Sequence, residues 1–126
     1  MKPFKFRVWD NQNKNFDLTD QCFISSEGRI YHKSAYICVD ITDRIDIEIS
    51  YSIGLFDKND KQIFEGDVFH YGDCNYLVKY CSYSARFIMR HFDYDDEYDF
   101  NDMEDWNDVE IIGNRFENPE ILDKLK

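Results

Sequence analysis

Between Ile45 and Tyr51 every second residue is apolar: Ile45, Ile47, Ile49 and Tyr51 alternate with Asp46, Glu48 and Ser50. A helix cannot use that period. Side chains along an extended strand point to opposite faces in turn, so the pattern predicts a strand with one buried face and one wet face. Phe4, Phe6 and Val8 alternate with Lys5 and Arg7 in the same way, and Tyr76, Val78 and Tyr80 share one face of another such stretch. Composition points in the same direction. The chain has 13 Ile, 11 Phe and 9 Tyr against 2 Ala and 5 Leu, so strand formers are abundant and two of the best helix formers are scarce. A mainly β fold follows.

Turn residues divide the chain into short strands. Asp10 to Lys14 is a polar turn after the first strand, with Phe16 and Leu18 expected on a return strand. Cys22–Ser25 and Arg29–Tyr31 flank Ser26-Glu27-Gly28 as a second hairpin. Ala35–Val39 is a short apolar run. Asp57–Lys61 and Tyr71-Gly72-Asp73 are further turns, and strands are expected over 63–69, 76–80, 86–92 and 109–112. Asn118-Pro119-Glu120 reads as a helix start, with Asn as N-cap and Pro in the first turn, giving a short helix over 119–125. Closely spaced strands joined by polar turns fit a small barrel or a sandwich.

Charge separates the chain into two parts. Residues 1–50 hold 7 bases and 8 acids, whereas residues 51–126 hold 8 bases and 18 acids. The net charge of -11 argues against a nucleic-acid-binding protein and equally disfavours anionic membranes. No apolar run reaches the roughly 20 residues of a membrane span, and the N-terminus lacks the apolar core of a signal peptide. Cys22, Cys38, Cys74 and Cys81 form no C-x-x-C pair and are expected as reduced, mostly buried thiols in a cytoplasm.

Phe4–Asp10, Ile53–Val68 and Asp108–Leu122, in that order, together resemble the YopX-like family of bacteriophage and prophage proteins. The resemblance implies an N-terminal β-hairpin subdomain over 1–50. It also implies an SH3-like barrel within 51–126, its strands over roughly 51–113, followed by the short C-terminal helix. With it come a phage origin, a bacterial host cytoplasm and room for self-assembly. It supplies no activity, no cofactor and no catalytic residues. Where the family usually carries Gly, this chain has Asp60.

The densest chemistry lies between Asp93 and Glu110, where ten acids occur with no base. Asp93, Asp95, Asp96, Glu97, Asp99, Asp102, Glu104, Asp105 and Trp106 form a candidate partner surface, and a basic protein is the partner such a surface fits. DNA mimicry, with carboxylates in the place of phosphates, is the alternative. Asp93, Asp95, Glu97, Asp99, Asn101 and Glu104 also fall at EF-hand ligand positions, but Tyr98 stands where that loop needs Gly. A solvated charged loop is the plainer expectation. His70, Cys74, Cys81 and His91 offer zinc-ligand types without zinc-ligand spacing. No nucleophile signature or phosphate-binding glycine loop occurs, so a non-enzymatic interaction protein is expected. Glu65-Gly66-Asp67 reads as a structural bend, Trp9 as core, and Trp106 as an anchor for the acidic stretch.

Overall fold

The computed structural model describes residues 5–94, 96–100 and 106–124, with nothing described of the Trp106 side chain. Eleven strands account for about half of these residues. They are β1 (Phe6–Asp10), β2 (Cys22–Ile24), β3 (Ile30–Lys33), β4 (Cys38–Asp40), β5 (Ile47–Phe56) and β6 (Gln62–Phe64). Then come β7 (Asp67–Tyr71), β8 (Cys74–Cys81), β9 (Arg86–His91), β10 (Glu97–Asp99) and β11 (Glu110–Asn114). The chain divides into two compact units, one over Phe6–Ser50 and one over Met1–Lys5 with Tyr51–Lys126. β5 runs through that division.

In the N-terminal unit, β2, β3 and β4 form an antiparallel sheet in that order. Gly28, with φ 81°, makes the β2–β3 turn, and the Ser25 N–H bonds the Arg29 carbonyl at 2.8 Å. Val8, Ile30, Ile41 and Ile47 form the core, with Leu18, Cys22 and Ile24 packed against it. Trp9 is buried and meets Phe16 edge-on. The expected return strand at Phe16–Leu18 is instead a 3-10 helix over Asp17–Gln21. Asn15 starts it by accepting the Asp17 N–H, and the Thr19 hydroxyl accepts the Val8 N–H in place of a strand partner.

The alternation around Ile45 also resolves differently. Ile45 is fully exposed and precedes the strand, and Tyr51 faces outward, while Ser50 and Ser52 are buried. The two hydroxyls are accommodated because each finds a donor: Arg7 Nε for Ser50 and the Gly54 N–H for Ser52. Burial of a bonded hydroxyl costs far less than burial of an unbonded one.

In the C-terminal unit, β5 pairs with β6, and five antiparallel strands follow in the order β10-β9-β8-β7-β11. Phe69, Val78, Met89, Ile63 and Val109 form its main core. Fully buried side chains of this kind stabilise by about 1.5–3 kcal/mol each. Among the described residues β10 and β11 are the two ends of the sheet and do not pair, so this is an open sheet and not the expected closed barrel. The C-terminal segment Pro119–Lys124 begins at the expected proline but is 3-10. Asn118 does not cap it through its side chain, whose oxygen accepts the Asn114 N–H; its carbonyl accepts the Ile121 N–H instead.

Candidate functional site

The acidic stretch is not one loop. Within it Glu97–Asp99 form β10, paired to β9 in the register Glu97 with Arg90, Tyr98 with Met89 and Asp99 with Ile88. Glu97 and Asp99 therefore share a face, and both meet a base. Lys79 Nζ lies 3.2 Å from Glu97, and an Arg86 nitrogen lies 2.8 Å from Asp99. Glu110, on β11, is likewise held by Lys58 at 2.6 Å. Asp93 and Asp96 are exposed, and Asp96 accepts from the Tyr98 hydroxyl at 3.4 Å. Asp95, Asn101, Asp102, Glu104 and Asp105 lie outside the described residues, and Trp106 begins a 3-10 turn to Asp108. A strand across Glu97–Asp99 breaks the loop that an EF-hand arrangement requires.

Aromatic rings back this region. Tyr76 meets His91 and Tyr98 edge-on, and Tyr94 lies 4.9 Å from His91. His91 is buried, and its Nδ1 accepts the Asp93 N–H at 2.9 Å, which fixes the start of the acidic stretch. Burial pushes the Tyr76 and Tyr98 phenols upward.

The zinc-type residues do not converge. Cys74 and Cys81 stand at opposite ends of β8, roughly 23 Å apart at strand rise. His70 is engaged with Asn75 at 2.8 Å. No group of three or more metal-ligating side chains occurs among the described residues. The cysteines are free but not buried as expected. Cys38 is exposed and the other three are half-buried, since strand ends and edges place them at the surface. Hydrogen bonds from Ser84 lower the Cys81 thiol.

Glu65-Gly66-Asp67 forms a bend. Asp67 is buried and its carboxylate accepts the Phe64 N–H, while Glu65 holds Arg115 at 3.1 Å.

The surface that sequence reasoning missed lies on the N-terminal unit. β4 is exposed along its whole length, and among the described residues only β3 pairs with it. Backbone bonds from Ser34 to Ile37 and from Ile41 to Ile30 set the ladder, with Val39 opposite His32. Antiparallel pairs alternate between bonded and non-bonded. Val39 thus faces β3 with its main-chain groups, and Cys38 and Asp40 direct theirs to the open edge. Tyr36 is 96% exposed, Ile37 62% and Val39 43%. Lys33 to Cys38 line an open depression of about 220 Å³, shallower than the enclosed pockets that bind small molecules. Asp40 is kept at a pKa of about 2, first by Thr42 and then by Arg29, whose Nε is 2.9 Å away. The apolar run Ala35–Val39 was the only trace of this edge in the sequence.

No helix among the described residues is long and apolar enough to cross a membrane. The family model described as "YopX protein" matches residues 5–123. The fold is similar to the crystal structure of protein EF1440 from Enterococcus faecalis, with 23% identity, a TM-score of 0.61, and coverage of 97% of this chain and 99% of that one. It is also similar to protein yopX from Bacillus subtilis, with 19% identity, a TM-score of 0.57, and 97% of each chain covered. None of the curated proteins matches the sequence.

Proposed function

The chain belongs to the YopX family, and from that premise we propose that it is a non-enzymatic phage or prophage accessory module that acts in the host cytoplasm through contact with other proteins. The observation that carries this reading is the open edge of β4, with Tyr36, Ile37 and Val39 exposed beside it. Natural proteins usually guard such an edge with charge, proline or a covering segment. Here the strand itself is Cys-Val-Asp, and its one charge is engaged with Arg29. An edge of this kind accepts an added strand through main-chain hydrogen bonds, with alternate side chains giving selectivity.

The acidic stretch supports DNA mimicry less well. Glu97, Asp99 and Glu110 each meet a base, which cancels charge that a phosphate-like row needs.

A photo-reactive benzoyl-phenylalanine placed at Tyr36 in the bacterial host tests the reading. Protein adducts are expected from position 36 and not from Tyr83, an equally exposed tyrosine at the β8–β9 turn. Equal labelling at both positions, or none, removes it.

A further inference from the structure

We infer that His91 is a proton-operated latch: while its imidazole is neutral it holds the turn that leads into β10, and protonation releases that turn.

Several turns of this chain close in one way, with a side-chain acceptor bonded to the backbone N–H two residues on. Asp10 accepts from Gln12, Asp40 from Thr42, Asp57 from Asn59 and Asn114 from Phe116, at 2.9–3.0 Å. Position 91 closes the same kind of turn with a histidine, whose Nδ1 accepts the Asp93 N–H at 2.9 Å. The chemistry of this acceptor differs. Imidazole changes charge between about pH 5 and 8, and a carboxylate or amide oxygen keeps its lone pairs across that range. Because the backbone N–H is the donor, the neutral ring carries its own proton on Nε2. A second proton can go only to Nδ1, where it replaces the accepting lone pair and sets two donors against each other.

The surroundings sharpen that conflict. His91 is 4% exposed, with the Tyr76 ring edge-on at 5.1 Å and the Tyr94 ring at 4.9 Å. The titratable groups that face it are Tyr76 from β8, with Cys74 bonded to that phenol, and Asp96 and Tyr98 at β10. On its own turn they are Asp93 and Tyr94. Arg90 precedes it on β9 and points to the opposite face of the sheet. No carboxylate bonds the imidazole among the described residues, so an imidazolium in the closed turn is a buried charge that has lost its bond to Asp93. In the open turn the same cation is wet and stands beside the exposed Asp93 and Asp96. Opening therefore takes up one proton. It is favoured up to about tenfold for each pH unit below roughly 6.5, the ordinary imidazole value. β10 follows the turn, since the Asp96 carbonyl accepts the backbone N–H of His91 at 3.0 Å, next to the Glu97–Arg90 pair. Its release uncovers the Tyr76 ring that Tyr98 meets edge-on.

An NMR titration of the full chain from about pH 8 to about pH 5 tests the latch. At the alkaline end the His91 ring nitrogens are expected to report the Nε2–H tautomer. As pH falls, the Asp93 amide is expected to lose its hydrogen-bonded shift with the same midpoint as the His91 imidazole. Protection of the Tyr98 amide, corrected for intrinsic exchange, is expected to fall about tenfold or more, while Leu77 and Ile88 in the β8–β9 ladder stay protected. His91→Asn puts an amide oxygen in the place of Nδ1 and does not titrate, so it is expected to keep the turn closed and flatten both profiles. His32→Gln and His70→Gln, at the other two histidines, are expected to leave the response unchanged. An Nδ1–H tautomer at about pH 8 overturns the inference. So does a flat profile in the natural chain, or a response that persists in His91→Asn. Different midpoints for the Asp93 amide and the His91 imidazole overturn it as well, and that comparison stands even if His91→Asn fails to fold.

Discussion

Asp57 is buried and accepts three backbone N–H groups, those of Asn59, Lys61 and Ile111. One carboxylate thus shapes the turn before β6 and fastens β11 across a gap of 54 residues. Asp57→Ala orphans three donors, and a loss of about 3 kcal/mol is expected, at roughly 1 kcal/mol for each. Asp57→Asn keeps one accepting oxygen and is expected to lose less. Urea unfolding midpoints measure both. In the same turn Asp60 has φ 63°, the left-handed region that costs a non-glycine residue up to about 1 kcal/mol. Asp60→Gly, which restores the residue usual in the family, is expected to stabilise by about 0.5 kcal/mol after the entropy of a freer unfolded chain is subtracted. An unchanged or lower midpoint would show that Asp60 makes a compensating contact. Gly66 has φ 91°, and an added Cβ would stand 3.0 Å from Arg115 Nε and 3.1 Å from the Phe116 ring. Gly66→Ala is therefore expected to cost about 2 kcal/mol or more, because strain and crowding act together. The conformational role of Gly66-Asp67 was legible in the sequence. The identity of the crowding residues was not, because they arrive from 50 positions away.

β10 shows how charge can mask a strand. Glu97-Tyr98-Asp99-Phe100 alternates charged and aromatic residues, the same period that marked the clearest strands. Ten acids in the surrounding stretch made a solvated loop the natural expectation. Lys79 on β8 and Arg86 on β9 offset two of those acids and let the segment pair. Each contact is exposed and worth at most about 1 kcal/mol, but a three-residue edge strand depends on small terms. Lys79→Ala with Arg86→Ala is expected to speed amide exchange at Tyr98 and Asp99 while β7 and β8 stay protected. Equal protection in both chains would mean that the ladder and the Tyr76–Tyr98 contact suffice. β5 errs in the opposite sense. Its period was correctly read as strand, but the buried side was misassigned beyond Ile49, because two serines found internal donors.

At the scale of the whole molecule, the carboxyl groups of Asp10, Asp40 and Asp46, within Phe6–Ser50, have lowered pKa. Asn13 lowers Asp10, Thr42 lowers Asp40 to about 2, and Arg44 lowers Asp46. A carboxyl depressed on folding contributes stability above its ordinary value of 3.8 and loses it as pH falls through the folded value. Amide signals of the N-terminal unit are therefore expected to weaken as pH drops from about 4 towards 2. Simultaneous loss in both units would mean that one cooperative transition governs the chain. The sequence by itself determined that this is a β protein of the YopX family, with an acid-rich second half. Strand period and residue type are local properties, and family likeness lies in the order of short segments. Only the tertiary structure decided which acids are neutralised and, among the described residues, that the C-terminal sheet stays open and that β4 has a free edge. Each of these depends on which strand stands next to which, and pairing between distant segments leaves no mark on either segment alone.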